Sequence, residues 1–183
     1  MTNTPIFEGK TSKGASVVVR YPQADDLDEM WHFITTLSAE RTFILMQGVE
    51  ISLQEEAGYL DNALRQIREG KRVQLSVFSG DKLVGNAEIT PSVGAKHHVG
   101  DFGIAILDGY RGMGIGELLM SLVIEQAQVV FPDMQMISLE VFGNNPIAMS
   151  LYRMMGFVEY GRLPRGVKHR DEYVDEVLMV KVL

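Results

Sequence analysis

Apolar positions change their period several times along the chain, and each change marks an element. Val17, Val18 and Val19 form a β-branched run that predicts a strand over 15–21, closed by Pro22. Asp25 and Asp26 then open a helix at the positive end of its dipole, and Leu27, Met30, Trp31, Ile34 and Leu37 follow at helical spacing. Residues 39–50 are irregular. Ser52 and Glu55 make a capping-box pair for a second helix, striped by Leu53, Ala57, Leu60, Leu64 and Ile67 and stopped by Gly70. Val73, Leu75 and Val77 alternate along 71–79, and a turn returns the chain as a strand at 83–90, a hairpin. Over 97–107 the residues Phe102, Ile104, Ala105, Ile106 and Leu107 are almost continuously apolar, as in a central strand. A long helix follows from Ile115, striped by Leu118, Leu119, Leu122 and Val123 and broken at Phe131, Pro132 and Asp133. A strand at 134–142 leads to Asn145 and Pro146, suited to the N-cap and first position of a short helix that Gly156 closes. Residues 157–160 read as a short strand, 161–170 as a basic loop and 173–182 as a last strand. The organisation is therefore a loose or partly ordered arm at 1–14 and one α/β domain at 15–183, without linker or internal repeat.

Composition narrows this picture. The chain has 183 residues, enough to bury a core without staples, and no cysteine. A disulfide scaffold, a thiolate metal site and a cysteine nucleophile are thereby excluded. Its 24 acidic residues outnumber 17 basic ones, for a net charge of −7, so no nucleic-acid partner is expected. No apolar run approaches the ~20 residues of a membrane span, and residues 1–16 carry no apolar leader, so no membrane partner and a cytoplasmic location are expected. His97 and His98, adjacent on the predicted strand, would point to opposite faces, so no metal is expected there. The 11 methionines read as core filler.

The segment after the central strand carries the chemistry. Gly112, Gly114 and Gly116 let a backbone approach a ligand closely, the helix start beyond them offers unpaired N–H groups, and Arg111 adds a charge. Together they suit an anion, most naturally a phosphate. Gly116 is followed by Glu117 and Leu118, so this is not a P-loop. The spacing also misses the dinucleotide fingerprint, whose last glycine position falls on Glu117 or Leu119. A purely structural glycine turn is the other reading open at this point.

At this loop the sequence resembles the GNAT superfamily of acetyl-CoA-dependent N-acetyltransferases, which carries Arg/Gln-x-x-Gly-x-Gly/Ala here. The run Arg111, Gly112, Met113, Gly114, Ile115, Gly116 is similar to that motif, with Tyr110 before it. Asn145, Ala148, Leu151, Tyr152, Gly156 and Phe157 resemble the family's Asn-x-x-Ala-x-x-Leu-Tyr-x-x-x-Gly-Phe segment, and Ser138 to Val141 and the last strand also match. The resemblance implies a single-domain α/β (α+β) fold: a mixed, mostly antiparallel sheet of about six to seven strands, helices on both faces and a splayed central cleft. It implies acetyl-CoA as cosubstrate and no metal. Ile104, Ala105 and Ile106 would pair with the pantetheine arm, and the N–H groups of residues 112–116, beside Arg111, would hold the pyrophosphate. Asn145 would bond the pantetheine, and Tyr152 would lie near the thioester sulfur. A homodimer is common in the family.

The reaction asks an amine to attack a thioester. A lysine-like amine at pKa ~10.4 needs a base, the tetrahedral oxygen needs N–H donors, and the leaving thiolate needs a proton. Tyr152 is the candidate acid, with a plain core aromatic as its alternative. Glu140 is the candidate base, followed by Asp101 and Glu88, each of which has a surface ion pair as its alternative; an ordered water serves in many family members. Without a cysteine, transfer should be direct, in a ternary complex with a primary amine of a small molecule or peptide. A non-catalytic acyl-CoA-binding module on the same fold is the competing function. Arg162, Arg165, Lys168, His169 and Arg170 read as a solvated loop, and Arg41, Thr42 and Phe43 fall where the family varies its acceptor wall.

Overall fold

The computed structural model describes residues 4–183, so the first three residues of the expected arm lie outside it. Eight strands form one sheet in the order β1-β2-β3-β4-β5-β6-β8-β7. They are β1 (Phe7–Lys10), β2 (Ser16–Arg20), β3 (Val73–Ser79), β4 (Lys82–Pro91), β5 (Val99–Ile106), β6 (Met136–Phe142), β7 (Val158–His169) and β8 (Glu172–Val182). All neighbours are antiparallel except β5 and β6. The helices are α1 (Leu27–Glu40), α2 (Leu53–Arg68), α3 (Ile115–Val130) and α4 (Pro146–Met154).

Alternation along β3 builds two layers. Val73, Leu75 and Val77 point to the cluster that holds Leu119, Met120 and Val123 of α3 and Tyr152 of α4. Phe78 points the other way, to Met30, Phe33 and Leu37 of α1 and Leu60 of α2. Helices thus cover both faces. A bulge beside Val77 and Phe78 lets Leu83 join the α1–α2 layer while its neighbour Val84 joins the α3 layer.

Local signals explain the helix ends. Ser52 Oγ accepts the Glu55 N–H at 3.2 Å and Glu55 accepts the Ser52 N–H at 2.8 Å, a complete capping box. Asn145 Oδ1 accepts the Ala148 N–H at 3.1 Å, with Pro146 behind it. Asp26 does more than favour the helix dipole: its carboxylate takes both guanidinium arms of Arg20, at 2.6 and 2.7 Å, and the Gln23 N–H at 2.7 Å. It ties α1 to β2.

Some expectations are corrected. The arm is ordered in part: residues 7–10 pair with β2 and bring the sheet to eight strands rather than six or seven. The 161–170 segment is not a loop. With 158–160 it forms the 12-residue strand β7, paired to β8 through irregularities between Glu159 and Gly161 and between Leu163 and Val167. Arg162 there bonds Glu159 and Asp175. His97 and His98 lie ahead of β5, not on it.

Candidate active site

The parallel junction of β5 and β6 is short: Val99–Met136, Gly100–Ile137 and Asp101–Ser138. Beyond it β5 follows β4 as far as Ile106–Gly85, while β6 follows β8 as far as Phe142–Glu176. The strands diverge, and a cleft opens between them. Ile104, Ala105 and Ile106 line it, only partly buried.

At its open end the chain turns from β5 into α3. Gly112 and Gly114 hold left-handed backbones, φ 76° and 77°, which a side chain would strain. Gly116 serves differently: a Cβ there would come within 3.1 Å of Leu151 Cδ2, so its bareness lets α3 approach α4. The first intrahelical bond joins the Leu118 N–H to the Gly114 carbonyl at 3.2 Å. The N–H groups of Ile115 and Gly116 precede it and form the positive helix end. Met113 is exposed at the loop's tip, and its carbonyl accepts the Thr11 hydroxyl at 2.6 Å. Thr11 Oγ1 also accepts the N–H groups of Lys13 and Ala15, at 3.3 and 3.1 Å. The β1–β2 turn therefore buttresses the glycine loop. Arg111 is engaged within the protein, donating Nε–H to the Ile106 carbonyl at 2.8 Å and Nη2–H to Glu40.

Asn145 and Tyr152 sit on α4 beside this loop. The Asn145 carbonyl oxygen is committed to the cap, which leaves its amide N–H donors for other use. Tyr152 is 7% exposed, its ring between Phe102 and Phe157 at centroid distances of 6.3 and 6.1 Å. Its hydroxyl makes no hydrogen bond among the described residues, and burial pushes its pKa up to about 12.

Glu140 is exposed on β6 and belongs to the other face of the sheet. Its neighbours Leu139 and Val141 join the cluster that holds Tyr152, so the side chain between them points toward the α1–α2 layer. Partial desolvation raises its pKa, and the nearby Glu176 and Asp101 carboxylates raise it further. Asp101 itself accepts from Ser138 at 3.1 Å and Ser92 at 2.9 Å. Glu88 is taken up by the Tyr59 hydroxyl at 3.1 Å and Arg72 at 3.2 Å. Tyr152 therefore lies on the α3 face of the sheet, and Glu140 with its neighbour Asp101 on the opposite face.

The sequence pointed to Arg41, Thr42 and Phe43 as an acceptor wall, but not to the residues that hold that segment in place. His169 is buried between Phe43 and Phe142, at centroid distances of 4.5 and 5.5 Å. Its Nε2 donates to the Arg41 carbonyl at 3.2 Å, and Nδ1 meets the Asn144 amide at 2.9 Å. The α1–α2 loop, the β7–β8 hairpin and the start of α4 are pinned together there. No local pattern announces this, because the partners are up to 128 positions apart.

Residues 31–157 match the sequence model of the acetyltransferase (GNAT) family. The chain belongs to that family. As a GNAT enzyme it is an N-acetyltransferase of the acetyl-CoA-dependent kind, and its sheet, helices on both faces and splayed cleft are the family's. It is 29% identical over 116 residues to the L-amino acid N-acetyltransferase AaaT of Escherichia coli (strain K12), a match covering 63% of this chain and 70% of that protein. It is similar to a solved GNAT acetyltransferase from Streptococcus pneumoniae, with a TM-score of 0.82, 27% identity and coverage of 92% of this chain and 99% of that one. The GNAT fold is also shared with Mycobacterium smegmatis RimJ, solved in complex with CoA-disulfide: TM-score 0.73, 16% identity, 92% of this chain and 82% of that one.

Proposed function

We propose that this GNAT enzyme moves the acetyl group of acetyl-CoA to a primary amine of a small molecule or peptide by direct attack in a ternary complex. The carrying observation is a splayed β5 that leads into a glycine loop opening α3, supported by a Tyr152 hydroxyl without a partner among the described residues. In this reading the N–H groups of residues 112–116 hold the pyrophosphate, with the Arg111 charge beside them. Ile104, Ala105 and Ile106 pair with the pantetheine arm, and Asn145 donates its free amide hydrogens to it. A backbone N–H of this stretch of β5 steadies the developing oxyanion.

Glu140 takes the amine proton, directly or through water. Its raised pKa makes it a stronger base than an ordinary carboxylate. The neutral amine nitrogen then forms its bond to the acetyl carbon, the carbon–sulfur bond breaks, Tyr152 donates a proton to the departing sulfur, and the second proton shed by the nitrogen restores the phenol through solvent. A phenol pushed up to about 12 is a weaker acid than a thiol, so that transfer proceeds with bond cleavage rather than before it. The relative's activity on L-amino acids supports an α-amino acceptor, and the carboxylates Glu140, Glu176 and Asp101 favour an approaching ammonium. No described helix is long and apolar enough to cross a membrane.

The test is thiol release from acetyl-CoA across a panel of L-amino acids, short peptides and polyamines. The chain has no cysteine, so a thiol reagent reads only the liberated CoA. Release with at least one amine, matched by acetylated product in mass spectrometry, is expected. CoA binding without transfer to any amine would favour a non-catalytic module.

A further inference from the structure

Glu40, the last residue of α1, has an arrangement that binding CoA does not by itself require. Its side chain is 18% exposed. One carboxylate oxygen accepts the Asp108 backbone N–H at 3.1 Å, and the other accepts Arg111 Nη2–H. Arg111 also donates to the carbonyl of Ile106, the last residue of β5. A single carboxylate therefore spans the turn that carries the chain from β5 into the glycine loop. The next residue, Arg41, leaves α1 in a left-handed conformation, φ 47°, and its carbonyl accepts from His169. Ser38, one turn earlier, donates its hydroxyl to the Val49 carbonyl at 2.7 Å and accepts the Gly48 N–H at 2.9 Å through its own carbonyl. The end of α1 is thus tied on one side to the glycine loop and on the other to the wall over the cleft.

Arg111 faces the carboxylates of Glu40 and, at 3.5 Å, Asp108, and a pyrophosphate on the loop would be a third anion beside it. A guanidinium offers five donors and pairs with carboxylate or phosphate alike. A pyrophosphate seated on residues 112–116 competes with Glu40 for those donors and draws the turn toward itself. Glu40 is held to that turn by the Asp108 N–H as well, so it follows. The displacement is delivered to Arg41 and the loop beyond it.

We propose that Glu40 is a positioning residue that couples occupancy of the glycine loop to the 41–51 wall between α1 and α2. The proposal rests on the CoA-binding reading above. It gives the wall one arrangement before the cofactor arrives and another after, so that the acceptor surface is completed by the cofactor.

Trp31, the chain's single tryptophan, reports on this wall: its Nε1–H donates to the Ile51 carbonyl at 2.8 Å. CoA is titrated into the wild type and Glu40→Gln, with indole emission and calorimetry recorded in parallel; Glu40→Ala takes the same test if the amide variant does not fold. In the wild type, emission should change saturably with the calorimetric midpoint. In the variant, calorimetric affinity should stay within about fivefold while the emission amplitude falls by more than about half, corresponding to lost coupling rather than lost binding. A variant that keeps the full amplitude overturns the proposal, as does a wild-type tryptophan that stays silent while calorimetry registers CoA. Absence of calorimetric binding in the wild type overturns the cofactor reading itself, and the proposal with it.

Discussion

At the scale of residues, the proposed acid Tyr152 and the proposed base Glu140 differ in environment. Tyr152 is packed by Phe102 and Phe157, so its proton stays on across the working pH range. Tyr152→Phe keeps the ring and removes only the donor. Acetyl-CoA affinity should hold within about threefold while turnover falls more than about tenfold, the usual range for general acid catalysis. Steady-state kinetics beside calorimetry separates the two. As the proposed base, Glu140 would work only when ionised, and its pKa is raised, so an acidic limb in the rate profile should lie above the ordinary carboxylate value of 4.5. Glu140→Gln should abolish that limb, lower the rate by about 10²–10⁴ and leave the limb of the acceptor amine in place. The same shift has a sign for stability. A carboxyl whose folded pKa is raised stabilises the fold when protonated, and that contribution is lost as pH rises through the folded pKa. Glu140→Gln should therefore resist urea better than wild type near pH 7, and the difference should vanish below the unfolded pKa.

At the scale of elements, the β1–β2 turn is what the glycine loop leans on. Thr11→Val retains the shape and removes the bond to the Met113 carbonyl together with the acceptor for two N–H groups. The lost and orphaned bonds should cost roughly 1–3 kcal/mol of stability. The Michaelis constant for acetyl-CoA should rise about three- to tenfold as the loop loosens, with turnover within about twofold. Unchanged cofactor kinetics would detach the turn from the site. These elements also show how far the sequence could be read. Caps are short-range chemistry, so Ser52 with Glu55 and Asn145 with Pro146 announced α2 and α4 correctly. The strand β1 did not announce itself, because Phe7, Glu8, Gly9 and Lys10 have no β-branched run and owe their conformation to pairing with Val17, Val18 and Val19. The strand β7 was hidden by Gly161, Pro164 and Gly166, which spell a loop locally and are accommodated by its irregular pairing with β8. The glycine loop was legible as a motif. Its support was not, since Glu40 and Arg111 are 71 positions apart and only the fold brings them together.

At the scale of the whole molecule, one narrow seam decides whether there is a cleft at all. Strands β1 to β5 form one half of the sheet and β6, β8 and β7 the other, joined in the ladder by the junction from Val99–Met136 to Asp101–Ser138. Gly100 is the middle of that junction, and it is buried. A Cβ there would meet Ile89 Cγ2 and the Sδ and Cε of Met134, each at 2.8 Å. The methionine end is flexible and can turn aside. The isoleucine methyl is held inside the α3 layer and cannot, so a methyl group at position 100 acts as a wedge between the halves. Gly100→Ala should lower unfolding stability by about 1–3 kcal/mol, the ordinary cost of overpacking. It should also weaken CoA binding, because the angle at which β5 leaves β6 sets the width available to the pantetheine. Met134→Ala in the same chain makes room for the wedge and should restore CoA affinity more completely than stability, since the second change removes buried methylene groups of its own. Recovery of affinity without full recovery of the urea midpoint would identify Gly100 as the residue that sets the splay. If the double variant binds CoA no better than Gly100→Ala, the width of the cleft is governed elsewhere.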